Sequence, residues 1–356
     1  MTINCFEPDI NNKDIEAAVS TIKSKILAFG KNVDLFESKY SKFSNKKYNI
    51  GFNSASSAAY LLFQYLYEKY GACDVYTTSI GFVSPVYAAL KNGHNVKYVD
   101  VDKNVLMCSD SLLQNLSNSK NKSIVMPVLY GGVSKVPKIL KSVKNTDSIL
   151  VLDSAHCISP TMDYDYAFYS FHPVKPICMS NGGLLATNSK KSNNYMRSGR
   201  NFGRKIIGDT YDLVQQGFNF YMNNLNAAIG LSQIERCLDN VEKRKKNFQF
   251  LKDNLPNQIG YFAKHDKQSS YYLSTLILKD GFSSDILRKY LSTKGIGSGF
   301  HYPLLHKTKQ YKQDISLPIT DSMENRLINL PIHQNLSEKE LETIINECIR
   351  YSRSGS

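Results

Sequence analysis

One stretch of the sequence gathers residues that could share a reaction: Asp153-Ser154-Ala155-His156, then Tyr169-Ser170-Phe171-His172-Pro173-Val174-Lys175, then Gly182-Gly183. Asp153 closes the apolar run Ile149-Leu150-Val151-Leu152, and ligands of open α/β sheets bind at such strand ends. A carboxylate there can pair with a cation, and a protonated pyridine nitrogen is one such cation. His156, three residues on, can reach another edge of the same ring. Ser170 adds a hydroxyl, and Lys175 adds an amine that desolvation makes nucleophilic. Each residue alone has an ordinary explanation, because a strand-end Asp is commonly a turn residue and a lone Lys is commonly solvated. The ordered combination is far narrower than any of its members.

Such residues need a scaffold, and the flanking sequence describes one. Apolar runs of strand length alternate with helix-length segments through the first two thirds of the chain. Strands are predicted over 74–78, 96–100, 123–129, 148–153, 166–170 and 183–187, with helices over 56–70, 84–91 and 109–116. This alternation predicts an α/β fold with a mostly parallel sheet and right-handed crossovers. From near Leu225 one helical pattern runs to about Leu255, where Pro256 stops it. An αβ region then continues to a last helix, announced by Ser337 as N-cap with Glu340 as its capping-box partner. The expected division is a large domain with an N-terminal arm over 1–235 and a smaller C-terminal α/β domain over 236–356.

The bulk properties narrow the classes of function. Lys and Arg number 44 against 31 Asp and Glu, a net charge of +13, which favours phosphorylated small molecules or polyanions. The one tight basic run, Lys243-Arg244-Lys245-Lys246, lies beside Glu235, Asp239 and Glu242 and reads as an exposed helix face. No zinc finger, RNP-like motif or basic tail accompanies it, so nucleic acid is not an expected partner. The seven cysteines are odd in number and far apart, which suits reduced thiols better than a disulfide framework or a metal site. The N-terminus lacks the basic and apolar regions of a signal peptide. No apolar run approaches the roughly 18 residues that span a bilayer. The expectation is a cytoplasmic protein without metal or membrane partner.

Seven segments in order resemble the DegT/DnrJ/EryC1/StrS family of sugar aminotransferases. Gly30-Lys31-Asn32-Val33-Asp34-Leu35-Phe36-Glu37 looks like the family's GPxVxxFE, and Asn53-Ser54-Ala55-Ser56-Ser57-Ala58 like its SNGTxA phosphate loop. Leu129-Tyr130-Gly131 matches LYG. Gly217-Phe218-Asn219-Phe220-Tyr221-Met222 and Asn226-Ala227-Ala228-Ile229-Gly230-Leu231 resemble GYNYRM and QAAIGL. Gly299-Phe300-His301-Tyr302-Pro303-Leu304-Leu305-His306 and Leu330-Pro331-Ile332-His333 resemble GVHYPPLH and LPLH. The resemblance runs from about Phe6 to about Tyr351. It implies fold type I of the pyridoxal 5'-phosphate enzymes, with a seven-stranded type of sheet between helices, and an obligate homodimer with shared active sites.

Carried over residue by residue, the resemblance makes Lys175 the Schiff-base lysine and proton shuttle. It makes Asp153 the partner of the pyridine nitrogen and sets His156 by the ring's phenolic oxygen. Ala55 and Ser56 open a helix whose free N–H groups would take the phosphate, and Ser170 adds a further bond. Phe82 would stack on one ring face and Ala155 cover the other. Asn219 would reach the phosphate of the neighbouring subunit. Two positions depart from the pattern: Asn181 stands where Glu often precedes the glycines, and Tyr221 stands where Arg usually follows. Relatives with histidine in place of the lysine are dehydratases, and Lys175 argues against that activity.

The SFHxxKxI form of the lysine segment resembles relatives that aminate C4 of 4-keto-6-deoxy sugars, such as the perosamine and viosamine synthases, with L-glutamate as donor. Arg197, Arg200, Arg204 and Lys205, expected in a mobile glycine-containing loop, are candidates for a nucleotide diphosphate. Phe29, Arg200, His301 and Tyr302 are candidates for the substrate pocket. UDP, dTDP and GDP remain open as the nucleotide. The alternatives are a C3 sugar aminotransferase, another transaminase of the same cofactor, or a non-catalytic member of the fold.

Overall fold

The computed structural model describes residues 2–143 and 146–354. Helices α1 (Asn12–Ser24) and α2 (Lys31–Ser44) precede the main sheet. That sheet holds β1 (Tyr48–Phe52), β2 (Asp74–Thr78), β3 (Asn95–Val99), β4 (Ser123–Met126), β5 (Ile149–Asp153), β6 (Tyr166–Ser170) and β7 (Gly183–Thr187). Their spatial order is β1-β7-β6-β5-β4-β2-β3. The run from β6 through β5, β4 and β2 to β3 is parallel, whereas β7 is antiparallel to both β6 and β1. Between the strands lie α3 (Ala55–Tyr70), α4 (Val83–Lys91), α5 (Ser109–Leu116) and α6 (Ile139–Val143), and α7 (Lys190–Gly199) follows β7.

Successive residues of the central strands enter two different cores. Leu150 and Leu152 join one apolar cluster with Ala167, Tyr169 and Leu184. Ile149 and Val151 join another with Tyr166, Phe168 and Leu185. This two-residue alternation, buried on both faces, is why the strands read as continuous apolar runs. The C-terminal ends of β5 and β6 therefore emerge side by side, carrying Asp153 and Ser170.

Beyond a hairpin of β8 (Arg204–Ile207) and β9 (Thr210–Leu213), α8 (Asn224–Asn254) spans 31 residues. A second sheet of β10 (Gly260–Phe262), β11 (Ser274–Leu278) and β12 (Leu327–Leu330) is antiparallel throughout. It is accompanied by α9 (Ser284–Thr293), α10 (Pro318–Ser322) and α11 (Glu338–Ser354). Ser337 caps α11 as expected: its N–H donates to the Glu340 carboxylate at 2.8 Å, and its hydroxyl accepts from Glu340 N–H at 3.4 Å. α8 passes unbroken through residue 235. The N-terminal arm lies against the C-terminal part, with Ile3 N–H donating to Gly295 O at 2.8 Å.

Four features differ from the sequence reading. β4 stops at Met126 because Pro127 has no N–H to donate, although its carbonyl still accepts from Asp153 N–H at 3.1 Å. β1 was not foreseen, since Asn49 and Gly51 interrupt its apolar pattern. Of the segment expected as a mobile loop, Arg197 lies in α7, Arg200 follows its last residue, and Arg204 and Lys205 open the regular hairpin β8–β9, turned at Gly208 with φ +58°. Arg244, read as part of an exposed basic face, is 2% exposed and donates Nε–H to Gln334 Oε1 at 3.0 Å. Helical spacing turns it inward while the neighbouring lysines stay outside.

Candidate active site

Asp153, Ala155, His156, Ser170 and Lys175 line one cavity of about 390 Å³ with Ala55, Ser56 and Phe82. The cavity opens where β5, β6 and the start of β7 meet the N-terminus of α3. Asp153 stands on the strand end, and its Oδ1 accepts Ala155 N–H at 3.1 Å. Burial pushes its carboxyl up to about 6, against the opposing pull of that N–H and of Lys175. Burial likewise pushes the Lys175 amine down to about 7, with Asp153 resisting. A buried carboxylate facing a buried amine is the pattern of a site tuned for proton movement near neutrality.

His156 is held beside them. Its Nε2 lies 2.8 Å from the Tyr302 hydroxyl, and its Nδ1 is buried without a protein partner. Burial first, then the charge of Lys175, keeps its ring well below the usual imidazole range. The imidazole is therefore neutral.

The phosphate end is built from backbone. Ser54 caps α3, its hydroxyl accepting Ser57 N–H at 3.1 Å, and the helix begins at Ala55. This leaves the Ala55 and Ser56 amides at a positive helix end, which suits an anion. The Ser56 hydroxyl donates to Ser84 Oγ at 2.8 Å. A Cβ at Gly183 would collide with the Ser54 carbonyl carbon and the Ala55 nitrogen. Glycine there lets β7 press directly on that helix start.

The other sequence-level candidates divide. His301 and Tyr302 line the cavity, with the Tyr130 hydroxyl donating to His301 O at 2.5 Å. Arg200 does not reach it, since its Nη1 is 2.6 Å from the Glu37 carboxylate and donates to Gly51 O. Arg197 closes on the same carboxylate at 2.8 Å. Glu37 is 5% exposed, so the two guanidiniums neutralise a buried charge. Arg204 lies over the Tyr211 ring of its own hairpin, 4.6 Å away. Phe29 packs against Tyr221 outside the cavity, with ring centroids 4.1 Å apart and planes tilted by 31°. Asn219 is exposed, and its carbonyl accepts from the Asn53 side chain at 3.0 Å.

The cavity also takes in Tyr272, Ser84, His172 and Asn181. Of these, Asn181 carried a signal as the residue preceding the paired glycines and His172 as part of the lysine segment, whereas Tyr272 and Ser84 carried none. Among the described residues no group of His, Cys, Asp and Glu could hold a metal ion, and no helix is long and apolar enough to cross a membrane.

Fold and site together define an α/β enzyme that presents a buried lysine and a strand-end carboxylate to a phosphate-bearing ligand. The chain belongs to the DegT/DnrJ/EryC1/StrS aminotransferase family, whose model matches residues 8–349. A UDP-4-amino-4,6-dideoxy-N-acetyl-beta-L-altrosamine transaminase of Campylobacter jejuni is 28% identical over 94% of both chains. The Helicobacter pylori PseC, an aminotransferase involved in the biosynthesis of pseudoaminic acid, superposes with a TM-score of 0.93 at 24% identity. That match covers 99% of this chain and 100% of the other. The PLP-form of the putative sugar aminotransferase Spr1654 from Streptococcus pneumoniae superposes with a TM-score of 0.91 at 21% identity, over 100% of both chains.

The residues present fit pyridoxal phosphate. A desolvated carboxylate stands where a pyridine nitrogen needs one, and a helix start with two uncommitted amides suits the phosphate. The small Ala155 lets a ring approach closely. Phe82 lines the cavity with 53% of its surface exposed, which leaves a flat aromatic face on which a ring can stack.

Proposed function

We propose that the protein is a pyridoxal-phosphate-dependent aminotransferase that moves an amino group from L-glutamate to a nucleotide-linked 4-keto-6-deoxy sugar, giving a 4-amino-4,6-dideoxy sugar. The observation that carries this reading is the juxtaposition of Lys175 and Asp153 in one desolvated cavity beside the amides of α3. The name of the Campylobacter relative supports C4 as the aminated position and UDP as the nucleotide.

When bound, pyridoxal phosphate supplies an electron sink and carries the amino group between the two half-reactions. The protein's part is positioning and proton movement. Lys175 Nζ would hold the cofactor and, once released, would take a proton at Nζ from one carbon and return it to another. Its lowered basicity lets both protonation states exist near neutral pH. Asp153 keeps the ring nitrogen protonated by offering a charge in a site that excludes water. His156 donates or accepts only through a fixed ring, because Tyr302 holds its far nitrogen. Ala55, Ser56 and Ser170 would hold the phosphate end, and Phe82 and Ala155 would flank the ring. His301 and Tyr302 stand on the substrate side of the cavity.

The active unit is a homodimer with shared sites. Asn219 reaches the phosphate of the neighbouring subunit, and Phe29 belongs to the same face. Exposed apolar residues of the nearby hairpin, Ile206 at 71% and Leu213 at 62%, support a covered surface there. The division near residue 235 assigns the cofactor to the first part and the second sheet to a smaller lobe. All seven cysteines are free, which supports a cytoplasmic setting.

The test is spectroscopic and chemical. Purified protein with added pyridoxal phosphate is expected to turn yellow, and Lys175→Ala to lose the covalent attachment. UDP-, dTDP- and GDP-linked 4-keto-6-deoxy sugars are then offered with glutamate and read by mass spectrometry. No cofactor binding at saturation overturns the cofactor reading. Amination of a simple keto acid, with every sugar left untouched, overturns the substrate reading.

A further inference from the structure

Lys175 does not stand alone in its cavity. Its Nζ lies over the ring of Tyr272, 4.0 Å from the centroid. Both its backbone and its ring are packed in place. Tyr272 N–H donates to Gly131 O at 2.9 Å, Phe6 stacks on the ring at 5.5 Å and 21°, and the His156 ring lies 4.5 Å away. Tyr272 is 2% exposed, so the contact is desolvated, the condition in which an ammonium gains most from a ring's quadrupole. The residue comes from the connection just before β11, about a hundred positions from the lysine in sequence.

We propose that Tyr272 is a positioning residue whose ring face holds the Lys175 amino group between the two half-reactions, favouring its ammonium form in exchange with the free amine and keeping the released lysine aimed into the cavity. This rests on the aminotransferase reading, in which Lys175 is freed whenever the cofactor carries the amino group. An unheld lysine of four methylenes samples many rotamers in an open cavity. A lysine over a rigid ring keeps its position, and its amine and ammonium forms interconvert there as the next transfer requires. Other groups facing Nζ do not supply this. Asp153 attracts the ammonium but is committed to Ala155 and to the ring-nitrogen position. His156, His172 and His301 are held below the usual imidazole range, chiefly by burial and also by Lys175 itself. The Tyr302 phenol is held protonated by burial. The neutral rings thus frame the lysine, and Tyr272 is the one that lies beneath its nitrogen.

The test reads the lysine directly, without cofactor. Full-length cofactor-free protein is labelled with trace acetic anhydride across pH 5 to about 10, and Lys175 acetylation is followed by peptide mass spectrometry to give its titration midpoint. Tyr272→Phe keeps the ring and is expected to leave the midpoint in place. Tyr272→Leu removes the ring and is expected to lower the midpoint by about one pH unit, a tenfold change in the amine-to-ammonium ratio. Because the leucine variant could unfold, phenylalanines with one to three ring fluorines are also placed at 272, conserving shape while draining charge from the face. Their midpoints are expected to fall stepwise with fluorination. A midpoint unmoved by leucine and by fluorination overturns the proposal. So does an equal shift in the plain phenylalanine variant, which would assign the effect to the hydroxyl. Neither result bears on whether pyridoxal phosphate binds, which the absorption spectrum decides separately.

Discussion

His156 Nε2 and the Tyr302 hydroxyl meet at 2.8 Å, joining the end of β5 to the segment that follows α9. Burial keeps the phenol protonated and the imidazole neutral. With the phenol donating to Nε2, the ring proton sits on Nδ1, the nitrogen that no protein group satisfies among the described residues. Tyr302→Phe removes the donor and lets the tautomer change. The expected cost is that of one buried hydrogen bond, about 1–3 kcal/mol, appearing as weaker cofactor binding. Titrating cofactor-free protein with pyridoxal phosphate checks it, and an unchanged Kd refutes the coupling.

Gly183 is required by contact rather than by conformation, because a Cβ would run into the backbone of Ser54 and Ala55. Gly183→Ala must displace either β7 or the start of α3, and overpacking of this kind costs about 1–3 kcal/mol. The loss should fall on the phosphate site first. Inorganic phosphate is expected to protect wild-type protein against thermal unfolding and to protect the variant much less. Equal protection would show that the helix start had not moved.

Glu37 predicts a stability effect where the sequence pointed to substrate. Arg200→Met leaves its carboxylate with Arg197 alone, and Glu37→Gln leaves two guanidiniums facing a neutral group. Breaking a buried pair typically costs about 3–5 kcal/mol. Arg200→Met should therefore lower the denaturation midpoint in urea while the KM for the nucleotide sugar stays within a factor of two or so. A large rise in KM at unchanged stability would return Arg200 to the substrate.

What the sequence made legible was local. Asp153, His156 and Lys175 lie at or just after the C-terminal ends of the adjacent parallel strands β5 and β6, so their spacing already carried their proximity. Tyr272 had no such signal: Gly131, β11 and the arm residue Phe6 bring it to Lys175 from distant parts of the chain. Charge was legible as composition and misleading as location. Arg200 was read towards the substrate and Arg244 as part of an exposed helix face, yet one is bound to Glu37, and helical phase turns the other into the core. The hairpin β8–β9 escaped because its strands are exposed on both faces, which removes the alternation that marks a strand.

Shared sites make a prediction that only mixed dimers can test. Lys175→Ala and Asn219→Asp lie on different subunits of one site if Asn219 crosses to its neighbour. Each variant alone should be nearly inactive, the second because a carboxylate would repel the phosphate. Co-expressed, they form mixed dimers in which one site holds both lesions and the other holds none. Random pairing then restores roughly a quarter of wild-type activity. No recovery in isolated mixed dimers would place Asn219 in its own subunit's site or outside any site.

The two buried charges give the cofactor-free protein a pH dependence of opposite sign in two windows. Lys175 is pushed down to about 7 from an ordinary 10.5. Between those values the unfolded chain binds a proton that the native chain lacks, so stability rises with pH. Below about 7 the buried ammonium destabilises in full. Asp153 is pushed up to about 6 from 3.8. Here the native chain keeps a proton that the unfolded chain has lost, so stability falls as pH rises from about 4 to 6. Lys175→Met should therefore gain most over wild type below pH 7, with the advantage vanishing towards pH 10. Asp153→Asn should remove the decline between pH 4 and 6. Thermal melts of the three proteins across this range decide it, and difference curves flat in pH would mean that neither group is desolvated as the cavity requires.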